Sequence, residues 1–370
     1  MTVTAADYGV QPAPATVKPI DATFVWRSDL IDYTRHRAYG DLVRTAGIGQ
    51  RVSALASYAG RFALLAAKRV IRYEMIPSEY RTGTSLSHRL GFAGMAARNA
   101  IGLGRKTSRR SDLAANAVIG QLDQQGVAVL TMPPGRVADL LALAAPYFEQ
   151  LEARRGSKAA GRKFDDSRFT TDRTASPDLF AMIETVFDES GLRAAATAYL
   201  GRPARLIDVN PQINDRSDSF WRDIFDDLNE GTLPKTAYYH RDASGGDLKV
   251  IIYCTDVGPT NGPFSYAVGS NNMVISRIDD LLCEANDHNG LSATDLAARR
   301  RFAALPPKLR QKGSFGNDLP DDQPESGRIV GSTWDITGPK GSIVAFDTKG
   351  IHRGGMVEEG ERRVLTCVLG

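Results

Sequence analysis

Tyr239–Asn271 reads YHRDASGGDLKVIIYCTDVGPTNGPFSYAVGSN, and its punctuation decides the fold. Two runs rich in β-branched and aromatic residues, DLKVIIYCTDV and PFSYAVGS, are bounded by Ser-Gly-Gly at 244–246 and Thr-Asn-Gly-Pro at 260–263, residue types that end strands and make turns. Working outward, ARLIDVNPQI, KTAYYHRD, GSIVAF and RRVLTCVL have the same grain, with Gly-Pro-Lys-Gly at 338–341 as a further turn. Short strands divided in this way suit an antiparallel barrel or jelly roll, mainly β with helices.

The chemistry sits at strand ends. His240 and Asp242 stand two apart after the aromatic run AYYHRD, and alternation in a strand points both side chains to one face. His352 follows the strand SIVAFD. Two imidazoles and one carboxylate make the facial set of a non-haem Fe(II) centre, which leaves three positions on the metal open. A His-x-Asp pair alone is weak, since a histidine at a strand end is more often structural. The arginine pair in HRGGMVEEGERRVL adds weight, because a guanidinium is a natural bidentate clamp for a carboxylate. Metal at one end and arginine at the other describe a site for a keto-diacid.

Tyr239–Asn271 resembles the central block of the phytanoyl-CoA dioxygenase family: a metal-binding HxD, a glycine turn, a strand ending in Thr-Asp, then Asn-Gly-Pro and a strand closing in Gly-Ser. GSIVAFDTKGIHRGGMVEEGERRVLTCVL is similar to that family's C-terminal block, and QLDQQGVAVLTMPPGRVADLLALAAPYFEQL to its opening. The resemblance spans about residues 115–370. It implies a double-stranded β-helix with flanking helices, Fe(II) held by His240, Asp242 and His352, and 2-oxoglutarate and O₂ as co-substrates. It also implies oxidation of a small-molecule, lipid or sugar-type substrate, with release of succinate and CO₂. Asp242 favours hydroxylation, since related halogenases lack this carboxylate. Spacing from the distal histidine points to Arg363 as the co-substrate arginine, whereas the Gly-x-Arg pattern points to Arg362. Alternation lets only one of them enter the site. Arg362 is the expectation, with Thr366 on the same face as a hydroxyl partner.

The chain departs from the family in two places. About 110 residues separate the HxD from the distal histidine, and Asn271 stands where the family often has histidine. Residues 276–328, helical and then rich in proline, glycine and charge, account for the first departure as an insertion and candidate lid. Two rival readings use the same ligands: a metal-binding barrel that acts as a scaffold, and a divalent-metal hydrolase. Neither requires the arginine.

The remainder of the sequence sets the surroundings. With 46 basic and 43 acidic side chains there is no global argument for a nucleic-acid partner. Between Arg35 and Arg110, however, fifteen Lys and Arg face only Asp41, Glu74 and Glu79. That region, helical in its periodicity from about Ser28 to Gly104, is either a solvated face or a surface for peripheral contact with an anionic partner. Residues 1–22 read as a mobile or loosely draped arm, and GLGRKTSRRSD as the junction between an N-terminal region, 1–112, and a dioxygenase domain, 113–370. In that domain Leu113–Gln125 reads as a helix, Gly126–Met132 as a strand and Arg136–Ala153 as a helix. Cys254, Cys283 and Cys367 form no CxxC and fit a reducing cytosol, and the N-terminus lacks a secretory pattern.

Tyr238, Tyr239, Tyr253, Trp221 and Trp334 read as core packing, with Tyr239 pointing away from the cavity. Gln212 and Asn214 share a strand face that could line it. His36, His88 and His288 have no spaced carboxylate partners, and Cys254 and Cys367 read as small buried hydrophobes.

Overall fold

The computed structural model describes residues 3–21, 24, 46–71, 117–156, 166–201, 203–216, 239–242, 248–273, 296–310, 317–319 and 326–370. Two antiparallel sheets and a layer of helices make up a mixed α+β architecture. The larger sheet has the strand order β1-β2-β9-β5-β11-β3: β1 is Gly9–Gln11, β2 Val127–Thr131, β3 Leu206–Asp215, β5 Leu248–Tyr253, β9 Ser342–Asp347 and β11 Glu361–Leu369. The smaller sheet runs β7-β4-β10-β6-β8: β4 is Tyr239–His240, β6 Phe264–Ala267, β7 Asn317–Leu319, β8 Thr333–Ile336 and β10 His352–Arg353.

Alternation within strands sorts side chains between two cores. In β9 every residue is buried; Ile343 and Ala345 join the core beneath the helices, while Val344 and Phe346 join one shared by both sheets. A central strand covered on both faces explains why SIVAF is an unbroken apolar run. The shared core also takes Tyr253 and Val364 from the larger sheet and Phe264, Tyr266, Trp334 and Ile336 from the smaller. Tyr253 ties the layers together, its hydroxyl donating to the Ile336 carbonyl at 2.7 Å.

Helices α2 (Ala117–Gln125), α3 (Pro134–Gly156), α4 (Pro177–Glu189) and α5 (Leu192–Leu200) cover the outer face of the larger sheet. In α3 the buried residues Leu140, Ala144, Phe148 and Leu151 recur at helical spacing. α2, β2 and α3 fall where the sequence places them, within a few residues, whereas α4, α5, β7 and β8 are not anticipated. Gly126, between α2 and β2, has φ +77°, and a Cβ there would lie 2.4 Å from the Tyr266 hydroxyl. Only glycine fits that turn.

The N-terminal arm corrects the sequence reading. Its residues 3–21 are bound to the fold: β1 extends the larger sheet beside β2, the Ile20 amide donates to the Val268 carbonyl, and Tyr8 and Ile20 are buried. Tyr8, Ile20 and Phe24 supply the anchoring apolar area.

Within the basic segment, α1 (Ile48–Ile71) is helical as expected, and Ala54 and Tyr58 pack against Phe302 and Leu305 of the insertion. The insertion also supplies β7, which pairs with β4 at the first histidine. The domain junction at 102–112, His36, His88, His288, Trp221, Tyr238, Cys283 and most of the candidate lid lie outside the described residues. Among the described residues no helix is long and apolar enough to cross a membrane.

Candidate metal centre

Two short strands set the centre. β4 and β10 pair antiparallel with His240 opposite His352, so both imidazoles project from one face of the smaller sheet. Asp242 is fixed just beyond β4 by its amide, which donates to the Thr348 carbonyl at 2.9 Å. One ligand atom from each of His240, Asp242 and His352 lies within 4.8 Å of the others. Asp242 Oδ1 is 3.9 Å from His240 Nε2, and Oδ2 is 3.7 Å from His352 Nε2. Among the described residues this is the one group of three or more His, Cys, Asp or Glu able to hold a metal ion.

The tautomer of His352 suits a ligand. Its Nδ1 lies 2.9 Å from the Gly350 carbonyl, which can only accept, so Nδ1 carries the proton and Nε2 keeps its lone pair. The ring is packed among Phe264, Phe346 and Tyr266, with centroid distances of 5.8, 4.9 and 6.4 Å. Burial, and then the neighbouring His240, push its pKa down to about 3, so it is neutral and available at physiological pH. Burial works against ionisation of Asp242, but the Lys249 ammonium and the two imidazoles outweigh it and hold the carboxyl well below the usual carboxylate range. The free Nε2 lone pair of His352, the His240 ring beside it and one ionised carboxylate fit a divalent cation.

Lys249 is a residue that the sequence reading missed. It lies in β5, and its Nζ is 2.7 Å from Asp242 Oδ2. The signal was a lysine in DLKVIIY on the alternation opposite to Leu248, Val250 and Ile252.

The arginines divide by strand phase. Val364 belongs to the core between the sheets, and Leu365, Cys367 and Leu369 to the core beneath the helices. Arg362 therefore shares the inter-sheet face with Val364 and Thr366, and Arg363 faces α3. Arg362 is buried and its Nη2 donates to Asn214 Oδ1 at 3.2 Å; Gln212 Nε2 donates to the same oxygen at 2.8 Å. A Cβ on Gly354, two residues past His352, would meet Arg362 Nη2 at 3.8 Å. Arg363 pairs with Glu152 and Glu361, so it is an ion-paired residue at the helix layer rather than an unengaged surface charge.

No family model matches the sequence. No curated protein matches it. Among solved structures, the chain is similar to EctD from S. alaskensis, with 14% identity over 72% of this chain and 77% of that one, and a TM-score of 0.43. It is also similar to the non-heme alpha ketoglutarate dependent carbocyclase SnoK from nogalamycin biosynthesis, with 14% identity over 70% and 84% of the two chains and a TM-score of 0.41. HygX from Streptomyces hygroscopicus, solved with nickel and 2-oxoglutarate bound, aligns at 16% identity over 68% and 85%, with a TM-score of 0.38.

The remaining residues singled out from the sequence have structural places. Tyr239 points to the far side of the smaller sheet, where Arg353 lies 3.9 Å from its ring centroid. Asn271, the departure from the family's histidine, is buried and donates to the Leu122 carbonyl at 3.1 Å, closing the end of α2. Trp334 and Tyr253 are core, as are Cys254 and Cys367, whose thiols are free.

Proposed function

We propose that this protein is an Fe(II)- and 2-oxoglutarate-dependent dioxygenase of the phytanoyl-CoA dioxygenase-like kind, with its two sheets forming a double-stranded β-helix. His240, Asp242 and His352 hold the iron, Arg362 binds the distal carboxylate of 2-oxoglutarate, and Thr366 is a hydroxyl partner on the same face. The observation that carries this reading is the shared inter-sheet face. His352 of the ligand cluster packs against Phe264, Phe346 and Tyr266 of the inter-sheet core, and the buried Arg362 lies on the same face of β11 as Val364, a member of that core. A scaffold or a simple hydrolase has no use for a buried cation there.

Bound iron supplies oxidative decarboxylation of 2-oxoglutarate by O₂, giving succinate and CO₂ and oxidising a C–H bond of a small-molecule substrate. The chain's own residues do the rest. The Gly350 carbonyl fixes the His352 ring, and Lys249 fixes the Asp242 carboxylate. Asn214 orients the Arg362 guanidinium towards a two-point contact with a carboxylate. Phe264, Phe346 and Tyr266 keep water from the imidazole side of the centre.

Anaerobic calorimetry tests the assignment. Fe(II) is expected to bind with one-to-one stoichiometry, and 2-oxoglutarate is expected to bind only to the iron-loaded protein. Equal 2-oxoglutarate affinity with and without iron would contradict chelation at this site.

A further inference from the structure

Cross-strand neighbours in an antiparallel ladder point to the same face. β5, β11 and β3 put Lys249 opposite Val368 and Val368 opposite Asp208, so all three share one row. Lys249 reaches Asp242, which fixes the direction of that row: Asp208 also faces the space between the sheets. Two inter-strand steps separate Asp208 from Lys249, roughly 10 Å between backbones.

The face of β3 that carries Asp208 is polar along its length, with Asn210, Gln212 and Asn214 following at alternate positions. Those three have partners. Asn210 Oδ1 accepts from the Thr170 hydroxyl at 2.6 Å, Gln212 donates to Asn214, and Asn214 accepts from Arg362. Asp208 differs: it is half-buried, and among the described residues no hydrogen bond or ion pair reaches its carboxylate. Burial raises its pKa, and among the described residues no cation offsets that effect. Of the two cations on this face named above, Lys249 pairs with Asp242 and Arg362 is assigned to the co-substrate.

We propose that Asp208 anchors a protonated amine of the substrate, which makes that substrate a small, polar, amine-bearing molecule rather than an acyl chain. An ammonium there gains a charge-assisted hydrogen bond and relieves the desolvation of the carboxylate. An alkyl chain on the same wall would strand the carboxylate beside hydrocarbon. The roughly 10 Å between the row's ends places the amine several bonds from the carbon that meets the metal. The proposal relies on the oxygenase reading only for where the substrate reacts.

The test is calorimetric titration of the full chain, with and without Ni(II) plus 2-oxoglutarate, a loading that blocks turnover. The probes are putrescine, 4-aminobutanol and D-glucosamine, each paired with its N-acetyl derivative. Amines are expected to bind and their acetylated partners to bind about tenfold or more weakly. Asp208→Asn should lower amine affinity roughly ten- to a hundredfold, the loss of one charge-assisted contact, while leaving Ni(II) affinity unchanged. Equal binding of amines and acetyl derivatives, no binding by any amine, or an Asp208→Asn chain that keeps its amine affinity would each overturn the assignment. Ni(II) affinity separates the two readings. Metal bound without amine discrimination defeats this inference and leaves the triad intact, whereas no metal bound by the wild type defeats the triad.

Discussion

His240 and His352 stand directly opposite one another on β4 and β10, with ring centroids 4.4 Å apart. Two imidazoles therefore come from one two-residue ladder, and only the carboxylate must be brought in from a loop. The Thr348 carbonyl does this by accepting the Asp242 amide. The proximal and distal parts of the site are thus one local structure, although the sequence separates them widely.

Asp242→Ala is expected to remove tight metal binding and leave the fold standing. The carboxylate faces the site rather than a core, and its ion pair with the partly exposed Lys249 contributes about 1 kcal/mol or less to folding. Metal titration followed by thermal unfolding of the metal-free protein checks both parts. Unfolding of the variant at room temperature would show that Asp242 is a structural residue.

Strand phase sets the outcome at the two arginines. Arg362→Ala is expected to raise the KM for 2-oxoglutarate roughly 30-fold to several-thousand-fold, the effect of losing a buried bidentate contact worth ~2–5 kcal/mol. Arg363→Ala, which breaks ion pairs with Glu152 and Glu361, is expected to change KM little and stability by about 0–1 kcal/mol. Steady-state kinetics on both variants decide the matter, and a large effect at Arg363 alone would assign the clamp to the wrong face.

Acid should destabilise the metal-free protein, and the sign follows from His352. Its folded pKa is depressed to about 3, so between the ordinary imidazole value and that point the unfolded chain takes up a proton that the folded chain refuses. The contribution is fully present above about pH 6.5 and falls as pH drops towards 3, by up to about 1.4 kcal/mol per pH unit. Asp242, also depressed, acts in the same direction at lower pH. Urea midpoints at pH 7 and pH 5 measure the slope, and His352→Gln should flatten it. An unchanged slope in that variant would place the titration elsewhere.

Two glycines beside the distal histidine should respond differently. A Cβ on Gly350 would lie 1.7 Å from the Tyr266 hydroxyl oxygen and 2.8 Å from Ser270 Oγ, whereas on Gly354 the nearest atom is Arg362 Nη2 at 3.8 Å. Gly350→Ala should therefore cost about 1–3 kcal/mol and weaken metal binding, because the carbonyl that holds His352 Nδ1 must shift. Gly354→Ala should be close to neutral for both. Equal tolerance at the two positions, measured by denaturation and metal titration, would contradict this packing.

The parts legible in the sequence were those encoded locally. HxD spacing, strand alternation and turn residues point to the grouping of His240 with Asp242 and to the phase of Arg362 in β11, because each depends on neighbours a few residues away. The parts that were not legible depend on distant partners. The arm looked mobile because the partner strand of Gly9–Gln11 is Val127–Thr131, which local composition cannot reveal. Lys249 and Asp208 were missed because their meaning lies in a row across three strands. Asn271 gained its role only once α2 was packed beside it.

Succinate formation is the most direct measure of whether His240, Asp242 and His352 hold iron for 2-oxoglutarate turnover. Succinate is expected when Fe(II), 2-oxoglutarate and O₂ are all present, to disappear when any one is withheld, and to disappear in His352→Ala. Succinate formed by His352→Ala at the wild-type rate, or none formed by the iron-loaded wild type across a broad substrate panel, would contradict the account.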